Sequence, residues 1–296
     1  MNNSEYISYH RNNAIMWEID THIDAAVWFA DRYNLDIEQR YWLAFLTAIC
    51  ETTPTSIYLF NHFPNYETMS PVGFSYFCNN NRGGMAFQYD VRWILYEIEK
   101  VLMSYKALVG DNKQSIVVPA LATGKTKTER FLSFCKKIKV YKFGTYVLML
   151  YTELLHHLCG VDFEACIDPS DNHSVRSGLV YACGLEDVIK CVTKSGKKPT
   201  KEERELMLIE LSELIEKIQG LDISKRHKTV WAIETTLCTY NKTMHGRRYL
   251  GYYKNRQAKE IKRLADYTRR IGENFDWSDL INYHNNWGKW DNKYMR

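Results

Sequence analysis

The chain has 296 residues, 45% of them apolar, and carries 39 Lys and Arg against 35 Asp and Glu, a formal net charge of +4. That apolar share over that length can bury a substantial core, as one large domain or as two lobes. No run of about 18 apolar residues is available to span a membrane, and no apolar N-terminal segment resembles a signal peptide, so a soluble, reduced, cytoplasmic protein is expected.

Helical periodicity dominates the chain. Apolar residues recur at helical spacing over 23–33 and 37–50, with Asp36 placed to cap the second helix. Asn and Gly residues in SPVGFSYFCNNNRGGMAF, 70–87, predict a loop. A stripe through Trp93, Leu95, Tyr96, Ile98, Val101, Leu102 and Tyr105 predicts a helix over 89–108. The best strand candidate is SIVVPAL at 115–121. Residues 144–158 read as a helix that is apolar nearly all round and therefore central to the core. A further helix runs from Ser174 to Gly184, and the charged segment 193–204 reads as an exposed connector. Thr200 and Glu203 have capping-box spacing, with Gly220 where a helix stop belongs. The predicted fold class is all-α: a compact helical domain over 1–296, in one body or in lobes at 1–110 and 111–296.

The eight cysteines form no C-x-x-C pair, and most sit in apolar contexts such as AFLTAICET. They read as small buried hydrophobes, with neither a zinc nor a disulfide framework. GKT at 124–126 is not a phosphate loop, because the glycine that such a loop needs five positions earlier is Pro119. His156 and His157 are adjacent on a helix, so they point about 100° apart and cannot chelate one ion together.

Charge is distributed unevenly. Residues 225–263 hold eleven Lys and Arg against Glu234 and Glu260, a local charge of +9 interleaved with Trp231, Tyr240, Tyr249, Tyr252 and Tyr253. Cations neutralise phosphates and aromatic faces stack on exposed bases, so this segment reads either as a polyanion-handling surface or as a solvated helical face. A second basic run, 125–142, holds seven Lys and Arg against Glu129 alone. Within the first run, Glu234 has Val230, Trp231, Leu237 and Cys238 as helical neighbours. A carboxylate on that face is desolvated unless paired, so it serves either acid–base chemistry or a structural ion pair. In CIDPSDNHSVRSGLVYACG, 166–184, Asp168 and Asp171 precede a helix start with Arg176 in its first turn. Free N–H groups, the helix dipole and a guanidinium together suit an anion, the alternative being that Asp171 or Ser174 only caps the helix.

The runs KFGTYVLMLYTELL (142–155), DPSDNHSVRSGLVYACG (168–184), WAIETTLCTYNK (231–242) and RRYLGYYKNRQAKEI (247–261) resemble one family, as do DIEQRYWLAFLTAICET (36–52) and NHFPN (61–65). The family is that of the bacteriophage amino acid:DNA transferases, also called α-glutamyl/putrescinyl thymine pyrophosphorylases, related to the helical domain of 5-hydroxymethyluracil DNA kinases. The resemblance extends, with gaps, over about residues 30–265. It implies an enzyme of thymidine hypermodification acting on double-stranded phage DNA in the infected host's cytoplasm. An amino acid or polyamine would displace phosphate or pyrophosphate from activated 5-hydroxymethyl-deoxyuridine. A fold distantly like DNA glycosylases is also implied, although HLCGVDFE (157–164) is a poor match to their LPGVG-type hairpin.

On this resemblance the catalytic candidates are Glu234, Asp171 and Asp168. Substrate contacts are expected from Lys142, Tyr146, Arg176, Lys242, Tyr252, Arg256 and Gln257, and DNA contacts from Arg247, Arg248, Tyr249, Lys254 and Lys259. No protein-bound metal or cofactor is required, Mg²⁺ being optional, and the phage DNA kinase is a candidate partner. The alternatives are a non-catalytic DNA-binding component of the modification complex and a glycosylase-like enzyme that excises the base.

Overall fold

A computed structural model describes residues 3–86, 94, 96–170, 173–189 and 198–286. Among them every regular element is helical and there is no strand, so the fold is all-α. In chain order the α-helices are α1 (Ser4–Ile15), α2 (Thr21–Arg32), α3 (Ile37–Cys50), α4 (Thr53–His62) and α5 (Pro71–Asn81). There follow α6 (Ile98–Val109), α7 (Gln114–Ala120), α8 (Lys127–Lys137), α9 (Thr145–Cys159) and α10 (His173–Cys183). The last four are α11 (Lys201–Gln219), α12 (Val230–Met244), α13 (Tyr252–Arg270) and α14 (Ser278–Asn285). Two compact units divide these elements: one gathers the described parts of Met1–Asp20 and Cys166–Tyr253, the other those of Thr21–Ala165 and Lys254–Tyr294.

In the second unit α3 is the central helix. Asp36 caps it in a reciprocal box with Gln39, and every residue from Tyr41 to Cys50 is buried. A helix buried on all faces needs partners all round, and α9 and α4 pack directly against it. Each fully buried large apolar side chain, such as Phe45 or Leu154, contributes roughly 1.5–3 kcal/mol. The Tyr105 and Tyr151 hydroxyls lie 3.0 Å apart in this core, and Tyr105 also donates to the Gln114 side chain at 2.9 Å.

Two expectations fail here for physical reasons. The segment read as a loop at 70–87 contains α5. Ser70 caps it, Pro71 starts it, and Phe74 and Cys78, one turn apart, bury its only core-facing positions. Burial and a favourable start override the weak helix propensity of Gly73 and the three asparagines. The strand candidate at 115–121 falls in α7 and just past its end. The Glu38 carboxylate accepts the Gln114 and Ser115 N–H groups at 2.9 and 3.0 Å, and an anion at that end stabilises a helix start. Trp93 and Leu95 lie outside the described residues; the described helix there begins at Ile98.

The GKT segment has a capping function. Thr126 caps α8, Glu129 reaches back to the N–H groups of Lys125 and Thr126, and Gly124 at φ 148° leaves space for the Glu129 side chain. His156 Nδ1 lies 2.9 Å from the Val161 carbonyl, while burial pulls His157 down to about 3, so that ring is neutral.

Candidate active site

In the first unit the backbones of α10 and α12 meet without an intervening side chain. A Cβ at Gly178 would overlap the Leu237 carbonyl, so only glycine permits this approach. α1 closes the other side of α12. His10 Nε2 donates to the His227 carbonyl and Nδ1 accepts from the Thr236 hydroxyl, both at 2.8 Å, and burial holds the ring neutral, at about 4. Thr229 caps the start of α12 through the Ala232 N–H.

That packing sets the first turn of α10 beside the polar stripe of α12. Glu234, Cys238 and Lys242 follow at intervals of four along α12. Burial pushes the Cys238 thiol up, while Lys242 and Ser174 beside it pull the other way, so the start of α10 meets α12 at this point. Glu234 is only half-buried by surface area, yet protein atoms enclose its carboxyl. Desolvation, and then the charge of Asp20, push it up to about 7, with Lys242 pulling the other way.

Two further carboxylates, Glu18 and Asp20, escaped the sequence reading. Both are buried, at 2% and 7% exposure. Asp20 adopts a left-handed backbone, φ 49°, and accepts the Thr235 hydroxyl at 2.7 Å, one residue past Glu234. Glu18 accepts the Tyr253 N–H at 3.1 Å. The signal that would find them is two acids alternating with Trp17 and Ile19 in an otherwise apolar turn.

Arg176 lies in the first turns of α10 and is 4% exposed. Its Nη1 donates to the Ser170 carbonyl at 3.0 Å, and its Nε makes no hydrogen bond among the described residues. A buried guanidinium with an unused N–H beside a helix start is suited to an anion. Asp168 holds the preceding turn. It accepts Arg204 Nη2 at 2.5 Å and the Ser170 N–H at 2.9 Å, and chiefly the Arg204 bond pulls it down to about 2. It therefore stays ionised and fixes the carbonyl that receives Arg176. Asp171 lies outside the described residues.

The DNA-contact candidates of this unit form a short arginine–tyrosine array. The Arg248 guanidinium sits 3.9 Å over the Tyr252 ring, and Tyr252 meets Tyr249 and Tyr253 edge to face. Arg247 and Tyr249 are exposed. The remaining candidates belong to the second unit. There Lys142 pairs with Glu97, which Lys100 and Lys142 hold at about 2, and the Tyr146 hydroxyl donates to Glu51. Arg256 pairs with Glu260 at 2.7 Å, although burial outweighs that partner and raises the Glu260 carboxyl. Gln257 is 4% exposed, and neither atom of its amide finds a hydrogen-bond partner among the described residues. Lys259 is exposed and Lys254 half-buried.

No group of three or more His, Cys, Asp or Glu side chains among the described residues is arranged to hold a metal ion, and no described helix is long and apolar enough to cross a membrane. No curated protein matches the sequence. A family model described as amino acid:DNA transferase matches residues 18–249, a span that contains Glu18, Asp20, Arg176, Glu234 and Lys242. That match covers 232 of the 296 residues, and the chain belongs to the amino acid:DNA transferase family.

Proposed function

We propose that the protein joins the amine of an amino acid or polyamine to the 5-methylene carbon of phosphorylated or pyrophosphorylated 5-hydroxymethyl-deoxyuridine in phage DNA. The observation that carries this reading is the pairing of opposite chemistries on adjacent helices of one unit. Glu234 on α12 titrates near neutrality, and the start of α10, with Arg176, offers donors to an anion.

The chemistry divides between them. The donor arrives as an ammonium, and Glu234 takes one proton to expose the nitrogen lone pair; a base with pKa near the working pH suits that task. The nitrogen attacks the methylene carbon as the carbon–oxygen bond breaks, and the bonding pair leaves on the phosphate or pyrophosphate. Arg176 and the α10 N–H groups meet the charge that develops there, and Lys242 adds a second cation. The new secondary ammonium releases its remaining proton to solvent. The target base is unreachable inside stacked DNA, so it is extruded, and the tyrosines at 249–253 supply stacking faces for a displaced base. Mg²⁺ carried by a pyrophosphate substrate would ease the same charge. The setting is the cytoplasm of an infected bacterium, with the phage DNA kinase supplying the activated base.

The test is to incubate the protein with kinase-treated 5-hydroxymethyluracil DNA and single candidate amines, digest to nucleosides and weigh the products. A nucleoside heavier by the amine minus water, relative to 5-hydroxymethyl-deoxyuridine, is expected. Abasic sites in place of that adduct would replace this reading with base excision, and unaltered nucleosides with every amine would leave a non-catalytic DNA-binding role.

A further inference from the structure

The second unit contains a cavity of about 260 Å³ that the proposed chemistry does not use. It lies between α2, α4 and the segment 274–280, which is beyond the residues matched by the family. Its walls are aromatic: Phe29, Tyr33, Phe275 and Trp277 all line it. The Trp277 indole N–H donates to Thr268 at 3.0 Å, so its polar edge is already satisfied. Phe275 lies 4.3 Å from Trp277, ring centre to ring centre.

Besides the Trp28 and Trp277 indoles, the polar groups that the described residues place on the lining are two amides, Asn61 and Asn274, the Tyr33 hydroxyl and one carboxylate, Asp276; no Lys or Arg among the described residues lines the cavity. Asp276 accepts the Ser278 N–H at 2.8 Å, a bond that lowers its pKa, and it has no Lys or Arg partner among the described residues. The nearby Asp279, by contrast, is occupied by Arg32 at 3.2 Å and by the Tyr33 hydroxyl at 3.0 Å. In a protein of net charge +4, an aromatic recess with an exposed, ionised acid at its rim and no Lys or Arg among the described lining residues is the reverse of a phosphate site. Ring faces and a carboxylate both attract cations. The volume lies below the roughly 300–1,000 Å³ usual for drug-sized ligands, which favours a small occupant over a nucleotide.

We propose that this cavity binds a small organic ammonium ion, its hydrocarbon body against Phe29, Phe275 and Trp277 and its charged head toward Asp276. The site is separate from the amine-activating role given to Glu234 and stands whether or not that role does.

Calorimetric titration of the full chain with n-butylammonium chloride tests it, with n-butanol as the uncharged isostere and thymidine as a base-shaped control. Saturable binding of the ammonium, with neither control competing, is expected. Asp276→Asn keeps an oxygen for the Ser278 N–H and removes only the charge; it should weaken binding roughly five- to tenfold, and Phe275→Leu should weaken it by a similar factor. Glu234→Gln should leave this binding intact. Absence of saturable binding, equal binding of butanol, displacement by thymidine, or binding lost in Glu234→Gln but kept in Asp276→Asn would each overturn the assignment.

Discussion

Glu129 in one basic run and Glu234 in the other each lie beside cations, yet their carboxyls shift in opposite directions. In 125–142, Glu129 is exposed and accepts two backbone N–H groups at the start of α8, which lower its pKa. In 225–263, Glu234 sits on the α12 face beside Asp20 and is pushed up to about 7. The cations differ as well. Lys127 and Arg130 share Asp162, and Lys142 pairs with Glu97, whereas Arg247 is exposed and Arg248 lies over a tyrosine ring. Similar composition thus yields a capped helix with three paired cations in one place and a perturbed carboxyl beside an arginine–tyrosine array in the other. Burial and partners, not the count of charges, make the difference.

The largest effect should separate the two acids. Glu234→Gln should cut turnover by roughly 10²–10⁴, the usual scale for a positioned acid–base group, while DNA binding persists. Glu129→Gln should leave turnover unchanged and lower the melting temperature slightly, since only a helix start is weakened. Nucleoside mass spectrometry with thermal melts reads both; equal losses of turnover would abolish the contrast.

Arg176→Ala should reduce turnover by about 10²–10³, the range for losing one donor to a developing oxyanion, with near-normal affinity for unmodified DNA. Unchanged turnover would remove Arg176 from the leaving-group site. A third comparison uses salt. Replacing Arg247 and Arg248 together by Ala should lower the slope of log affinity against log salt by about two units, whereas replacing Lys127 and Arg130 should leave it unaltered, because Asp162 already holds them. Slopes equal to the parent's in both double variants would show that neither run tracks phosphates.

The smallest effect is on stability. The Glu234 carboxyl retains its proton in the folded state to about pH 7, whereas an unfolded chain releases it near pH 4.3. Its contribution to stability is therefore full below that lower value and is lost as pH rises through 7. Thermal melts of Glu234→Gln across that window should show a flatter decline than the parent. A variant equally destabilised at every pH would instead indicate a structural ion pair at Glu234.

What the sequence made legible was local. Asp36 with Gln39 and Thr200 with Glu203 announce their helices because cap and partner are three residues apart. The desolvation of Glu234 was visible in its apolar helical neighbours. Contributions from distant segments were not: Asp20 reaches Thr235 across 215 positions, and Glu38 starts α7 from 76 positions away. Pairing is invisible for the same reason, so Lys142 looked like an available cation although Glu97 holds it. Helix α5 was missed because two buried residues outweigh a run of poor helix formers.

The absent side chain at Gly178 has a further consequence, for how the family can diversify. Backbones in direct contact lock like a vernier: neither helix can slide or rotate to suit a longer or shorter donor without collision at Leu237. The spacing between the start of α10 and Glu234 is then a constant of the scaffold. A change of amine should be met by exchanging residues around that fixed gauge, and a library that varies position 178 itself should return glycine.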